Sequence, residues 1–213
     1  MSQTTVLCFR KEDEVMTEQE SRRIEIREFI AGLRSLPRFS AEEVYGYLKS
    51  HPVHPESLKP FLFFSPATYT RNLIFKNELF ELLALCWETG QVSRIHNHRD
   101  QQCWMAVPLG RLQVQNFRVL ERDPKKRTCR LQPGKRYPIT LEQPAEVDSD
   151  EPVHQVLNPA ESGGRAVSLH IYSKPFDSCE VYYPERGVYS DVPLYYTSEY
   201  GKLCSGEPAS PGP

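Results

Sequence analysis

The chain has 213 residues, with 26 Lys and Arg against 28 Asp and Glu for a formal charge of -2, and 39% of it is hydrophobic. That length suits one domain with a sizeable core and some extension. The near-balanced charge gives no electrostatic reason to expect nucleic acid or an anionic membrane as a partner, and no stretch approaches the ~20 apolar residues of a membrane helix. The longest apolar run near the start, Val6-Leu7-Cys8-Phe9, is far short of a signal-peptide core. Six scattered cysteines (Cys8, Cys86, Cys103, Cys129, Cys179 and Cys204) include no CxxC pair, which points to reduced thiols and a cytoplasmic location. A monomer is expected.

Residues 1 to about 20 are polar and expected to lie loosely on the surface. From Arg22 to Leu36 the residues Ile26, Phe29, Ile30 and Leu33 recur at helical spacing, and Pro37 ends the pattern. Ser40 with Glu43 predicts a capping box, and Val44, Tyr47 and Leu48 line one face of the second helix it opens. The Pro-broken stretch His51 to Pro66 predicts a connector, and its His51 and His54 need no function.

After Pro66 the pattern turns to strands. Tyr69–Phe75 and Leu79–Trp87 predict a hairpin around Lys76-Asn77. Further strands are predicted near Trp104–Pro108, Arg111–Val119, Thr128–Leu131, Val153–Leu157, Ala166–Tyr172 and Glu180–Tyr183. Turns separate them at Arg122-Asp123-Pro124, Gln132-Pro133-Gly134 and Glu161-Ser162-Gly163-Gly164, at intervals suited to a sandwich or barrel. The fold class is therefore mainly β, an antiparallel jelly roll behind a short N-terminal helical prefix. One domain is expected overall, with a tail and prefix over 1–66, a barrel over 67–203 and a disordered Pro/Gly/Ser-rich tail over 204–213.

His96 and His98, one residue apart on an extended segment, point to the same face and form half of a metal site. In Ala166–Tyr172 the residues Val167, Leu169 and Ile171 form one apolar face, with Ser168, His170 and Tyr172 on the other. That strand is either an edge with its polar side in water or a wall whose polar side lines a barrel as a hydrogen-bonded relay. Arg71 is likewise either a solvated strand residue or an inward charge shaped for a carboxylate.

The spacing Gly90-x5-His96-x-His98-x4-Cys103-x6-Gly110 resembles the first motif of the cupin superfamily, except that Cys103 stands where most cupins carry a metal-binding Glu. His154-x3-Asn158 resembles the tail of the second motif, with Ser149 and Glu151 replacing its usual Pro and Gly. The resemblance implies a cupin barrel and a metal held by His96, His98 and His154. Three neutral imidazoles leave the charge of a divalent ion uncompensated, which favours an anionic ligand brought by the substrate. Iron with open positions and catalytic zinc both suit that ligand set.

The resemblance narrows further. Tyr69-Thr-Arg71-Asn-Leu, Leu85-Cys-Trp87-Glu-Thr-Gly90, His96-x-His98-x4-Cys103, Ser168-Leu-His170-Ile-Tyr172-Ser173 and Pro175-Phe-Asp-Ser-Cys179 are similar, in order and spacing, to the cysteine dioxygenase family. That likeness implies mononuclear Fe(II) and the addition of both atoms of O2 to the thiol of L-cysteine, giving cysteine sulfinic acid, a step of L-cysteine catabolism. It assigns the substrate carboxylate to Arg71 and Tyr69, and implies that Tyr172 directs its hydroxyl at the substrate, oriented by His170 and Ser168. In some members the cysteine matching Cys103 is joined by a thioether to the tyrosine matching Tyr172, so the crosslink can form here. Trp87 is expected to pack behind the Tyr172 ring, and Cys179 matches a family cysteine near the site entrance.

Two departures stand out. Lys174 replaces the first of two prolines that follow a cis bond in many relatives, so a trans bond is expected after Ser173. Gln102 stands where animal enzymes carry His. The alternatives are a dioxygenase for 3-mercaptopropionate or cysteamine, or a non-enzymatic metal-binding cupin. Relatives acting on 3-mercaptopropionate carry Gln at position 71, and cysteamine has no carboxylate for Arg71 to hold, so Arg71 favours L-cysteine.

Overall fold

The computed structural model describes residues 22–99, 101–147 and 149–205. The polar first residues and most of the C-terminal tail expected to be disordered lie outside them. Among the described residues two α-helices, α1 (Ile26–Arg34) and α2 (Ala41–Ser50), precede thirteen strands. The strands are β1 (Thr70–Lys76), β2 (Phe80–Trp87), β3 (Ile95–Asn97), β4 (Cys103–Leu109), β5 (Leu112–Asp123), β6 (Thr128–Ile139), β7 (Ala145–Glu146), β8 (Val153–Leu157), β9 (Ala166–Ser173), β10 (Ser178–Tyr183), β11 (Val188–Pro193), β12 (Ser198–Glu199) and β13 (Lys202–Leu203). They form a seven-stranded sheet in the order β13-β12-β1-β2-β9-β4-β7 and a closed set β10-β11-β6-β5-β8-β3. This is the mainly β, cupin-like barrel with a helical prefix.

Both faces of the first sheet are covered, the outer by an apolar core and the inner by a core that also holds polar side chains. On its outer side Phe80, Leu82, Ala84, Cys86, Trp104, Val167, Leu169 and Ile171 meet Ile26, Phe29, Leu33, Val44 and Leu48 of the helices. On its inner side Leu83, Leu85, Trp87, Cys103, Met105 and Tyr172 meet Leu112, Val114, Ile139 and Val156 of the opposite wall. Strand alternation divides each strand between these two cores, so every residue of β2 is buried. Gly110, at φ +74, turns the chain out of β4 where a Cβ would lie 2.6 Å from the Arg165 carbonyl oxygen. Only glycine fits that approach.

Several boundaries depart from the sequence reading. Helix α1 starts at Ile26 and not Arg22, because Ile24 is drawn into a bridge with Val53 and bonds Pro52 and His54 instead. The Ser40 hydroxyl accepts from the Glu43 amide at 3.3 Å, but the Glu43 carboxylate turns away to Arg38, leaving half of the predicted capping box. A 3-10 helix, Pro55–Phe61, occupies the predicted connector. Gln132-Pro133-Gly134 is no turn: β6 runs through it, and the ladder to β5 absorbs the missing amide by shifting register between Gln115 and Phe117.

Candidate metal centre

The site lies inside the barrel between the two sheets. Short β3 pairs with β8 so that His96 and His154 are direct partners, and its other edge pairs with β10. Alternation sends His96 and His98 inward and Asn97 outward. Asn97 donates to Glu180 Oε2 at 2.9 Å and to the Tyr182 hydroxyl at 3.0 Å, and Arg122 holds the other Glu180 oxygen at 2.6 Å. A polar brace behind β3 thus faces the imidazoles in front.

His96, His98 and His154 are buried, with ligand atoms within 4.8 Å of one another. His96 Nδ1 lies 2.8 Å from the Arg94 carbonyl and His154 Nδ1 lies 3.0 Å from that of Pro152. A carbonyl can only accept, so each Nδ1 carries the proton and each Nε2 is left with a lone pair. His154 Nε2 has no partner, and His96 Nε2 meets only His98 Nε2, at 3.1 Å. Burial, reinforced at His96 and His98 by neighbouring imidazoles, lowers all three pKa values, that of His154 to about 4. Neutral, inward and short of partners, this donor set fits a divalent cation.

Opposite it, β9 presents Ser168, His170 and Tyr172 to the interior, all buried, so the strand is a wall of the barrel and not a wet edge. Trp87 Nε1 donates to Ser168 Oγ at 2.9 Å, Ser168 Oγ lies 2.9 Å from His170 Nε2, and His170 Nδ1 lies 3.2 Å from the Tyr172 hydroxyl. An indole N–H can only donate, so Ser168 Oγ accepts from Trp87, and the one acceptor beside the Ser168 hydroxyl among the described residues is His170 Nε2, which fixes the direction of the chain. Ser168 spends its own proton on His170 Nε2, His170 donates from Nδ1 to the Tyr172 oxygen, and the Tyr172 proton is left to point into the pocket. Burial lowers the pKa of His170 to about 3 and pushes that of Tyr172 well up, so the imidazole is neutral and the phenol protonated. Trp87 therefore does not pack behind the Tyr172 ring. It stacks on Tyr69 at 4.4 Å and starts the relay.

Arg71 enters from β1, buried, with its guanidinium 5.9 Å from the centre of the Tyr172 ring. Its Nε and Nη2 have no partner, an arrangement that a carboxylate would complete. Cys103 and Tyr172 are direct partners across β4 and β9, and burial holds the Cys103 thiol protonated. Cys179 is buried against the Val192 carbonyl, its thiol pushed up to about 12 mainly by burial. The bond after Ser173 is trans, with Lys174 at φ +74, and the Gln102 amide donates to Ser173 Oγ at 2.8 Å. His51 and His54 lie apart from the site: the first stacks on Tyr47 and the second caps the 3-10 helix.

The sequence reading missed Glu81 and Tyr196. Glu81 faces inward from β2, fully buried, and accepts from the Tyr196 hydroxyl at 2.5 Å. A lone acid in the otherwise apolar run FELLALCW was the available signal for Glu81. Nothing local marks Tyr196.

Residues 16–185 match the family model described as cysteine dioxygenase type I. This chain belongs to that family. Curated cysteine dioxygenase type 1 proteins are similar to it: 32% identical in Danio rerio over 76% of this chain and 80% of the relative, and 30% in Rattus norvegicus over 76% and 79%. The protein from Homo sapiens is 29% identical over the same shares. Family membership supports a thiol dioxygenase, and the three-histidine cluster is compatible with iron. No helix among the described residues is long and apolar enough to cross a membrane.

Proposed function

We propose that the protein is a cytoplasmic, single-domain, monomeric cysteine dioxygenase that converts L-cysteine and O2 to cysteine sulfinic acid, with His96, His98 and His154 holding Fe(II). The observation that carries the choice of substrate is Arg71, a buried guanidinium with two unpartnered nitrogen atoms beside Tyr172. When bound, ferrous iron supplies the redox capacity to activate dioxygen and the positive charge that keeps the substrate thiol ionised.

The chain's own groups do the rest. Arg71, with Tyr69 beside it, binds the substrate carboxylate and so sets the distance from anchor to sulfur. Tyr172 donates its free hydroxyl proton toward the substrate, and Trp87, Ser168 and His170 hold that direction without titrating. Leu83, Leu85 and Met105 keep water from the reacting thiol. Both oxygen atoms end on sulfur, so R–SH and O2 give R–SO2H with no further reductant. A Cys103–Tyr172 thioether is part of the proposal because the two residues stand opposite each other. It exchanges the Cys103 S–H and a Tyr172 ring C–H for one C–S bond, a two-electron oxidation for which the O2 the enzyme uses is the oxidant.

The test is metal analysis of the purified protein with oxygen uptake and product mass on L-cysteine, 3-mercaptopropionate and cysteamine. Stoichiometric iron, preference for L-cysteine and a product heavier by two oxygen atoms are expected. His96→Ala should lose iron and turnover together while keeping the fold. Retention of stoichiometric iron by that variant would overturn the ligand assignment.

A further inference from the structure

Arg71 does not face the interior as a lone charge. Glu81 lies directly opposite Tyr172 in the β2–β9 ladder, on the inward face shared by Leu83, Leu85 and Trp87. It is fully buried, and its Oε1 has no partner. Its Oε2 accepts from the Tyr196 hydroxyl, which in turn accepts from Lys76 Nζ at 3.4 Å. Tyr196 belongs to the segment that leads from β11 into β12, and this segment is tied to the anchor itself. The Thr197 amide donates to the Arg71 carbonyl at 2.7 Å, and the Arg71 amide donates to Thr197 Oγ1 at 3.3 Å. One strap thus sets both the base and the acid.

A buried acid that is held but half satisfied costs free energy until a ligand supplies the missing partner. The groups facing it are Arg71 and Lys76 from β1, Tyr172 from β9 and Tyr196 from the strap, with no ion pair between Glu81 and Arg71. Burial raises the Glu81 pKa above its ordinary value, and the Tyr196 hydrogen bond with the Arg71 and Lys76 charges works against that rise, so its neighbours and not solvent hold the carboxylate. A substrate carboxylate that reaches Arg71 must then share it with Glu81, whereas an amine in the same pocket meets an unpartnered acceptor.

Resting on the thiol-pocket reading above, we propose that Glu81, positioned by Tyr196, is a specificity-determining residue that selects the substrate head group by charge. It favours thiols bearing an amine and disfavours those bearing only a carboxylate. Arg71 alone would reward any carboxylate; the pair rewards a head group that carries both functions. Discrimination of this kind works by repulsion of the wrong ligand as well as attraction of the right one.

The experiment compares two thiols that each carry one half of that head group, 3-mercaptopropionate and cysteamine. Their dissociation constants for the iron-loaded protein are measured anaerobically by calorimetry, in the parent, Glu81→Gln and Tyr196→Phe. Glu81→Gln should shift the affinity ratio toward 3-mercaptopropionate by about tenfold or more, the scale on which like charges in a desolvated site discriminate. Tyr196→Phe should shift it the same way by less. An unchanged ratio, a shift toward cysteamine, or no binding of either thiol by the parent overturns the proposal. Failure of the parent to make cysteine sulfinic acid from L-cysteine, with the ratio still shifting, overturns the substrate reading alone. Circular dichroism and iron content of each variant separate these outcomes from misfolding.

Discussion

At the scale of single residues, the site sets groups whose charge burial suppresses beside Arg71, whose charge is permanent. Burial keeps His170 and the Cys103 thiol neutral, and the Tyr172 phenol keeps its proton. Arg71 stays charged at any working pH and lacks partners at two nitrogens. An anchor of that kind is sensitive to truncation, because its loss strands the ligand's carboxylate in a dry pocket. Breaking a buried charge pair typically costs ~2–5 kcal/mol, or roughly 30-fold to several thousand-fold in kcat/KM. Arg71→Gln keeps a hydrogen-bonding group and removes the charge, so L-cysteine turnover should fall by that range while cysteamine turnover changes little. Equal kcat/KM for L-cysteine in parent and variant, measured by oxygen consumption, would remove Arg71 as the anchor.

At the scale of elements, the legibility of the sequence tracked the length of each pattern. The Ser168/His170/Tyr172 face was readable as a choice between edge and wall, and burial from both sides decided it. Strand β3 was not readable because three residues give no periodicity, and its position comes from pairing with β8 and β10. β6 was cut short by Pro133 and Gly134, which a hairpin arm with a shifted register tolerates. The histidines could nevertheless be grouped, since their spacing survives without knowledge of the strand that carries it. What the spacing could not convey is how β3 is kept in place. Asn97 supplies that through its bonds to Glu180 and Tyr182. Groups that orient metal ligands from behind typically contribute about 10–100-fold to metal affinity. Asn97→Ala should therefore weaken iron binding by at least about tenfold in a chelator competition, with the circular dichroism spectrum retained. Unchanged affinity would mean that the strand ladder alone holds the ligands.

For the whole molecule, two cores share one sheet, and the inner one contains the polar site. Phe29 at full burial in the outer core should tolerate no truncation, and Phe29→Ala should cost ~3–5 kcal/mol in denaturant unfolding. Unfolding at an unchanged midpoint would show that the helices are not part of the cooperative unit. The inner core carries a different liability, which is acid. His170 has its pKa lowered to about 3 from an ordinary 6.5, with burial the first cause and the Arg71 charge the second. Its imidazole is therefore neutral in the folded chain over a range in which the unfolded chain binds a proton. The unfolded state then holds more protons, so stability must fall as pH falls. The full contribution is present above pH 6.5 and is lost progressively as pH drops toward 3. The slope for one such group is about 1.4 kcal/mol per pH unit well below the upper limit. His170→Gln retains hydrogen bonding without a titrating ring. The stability of metal-free parent relative to this variant should therefore decline by about that slope between pH 6 and pH 4, whatever the offset between them at neutral pH. Parallel unfolding free energies across this window, from urea titrations, would show that His170 does not stay neutral and that the relay direction assigned to it is wrong.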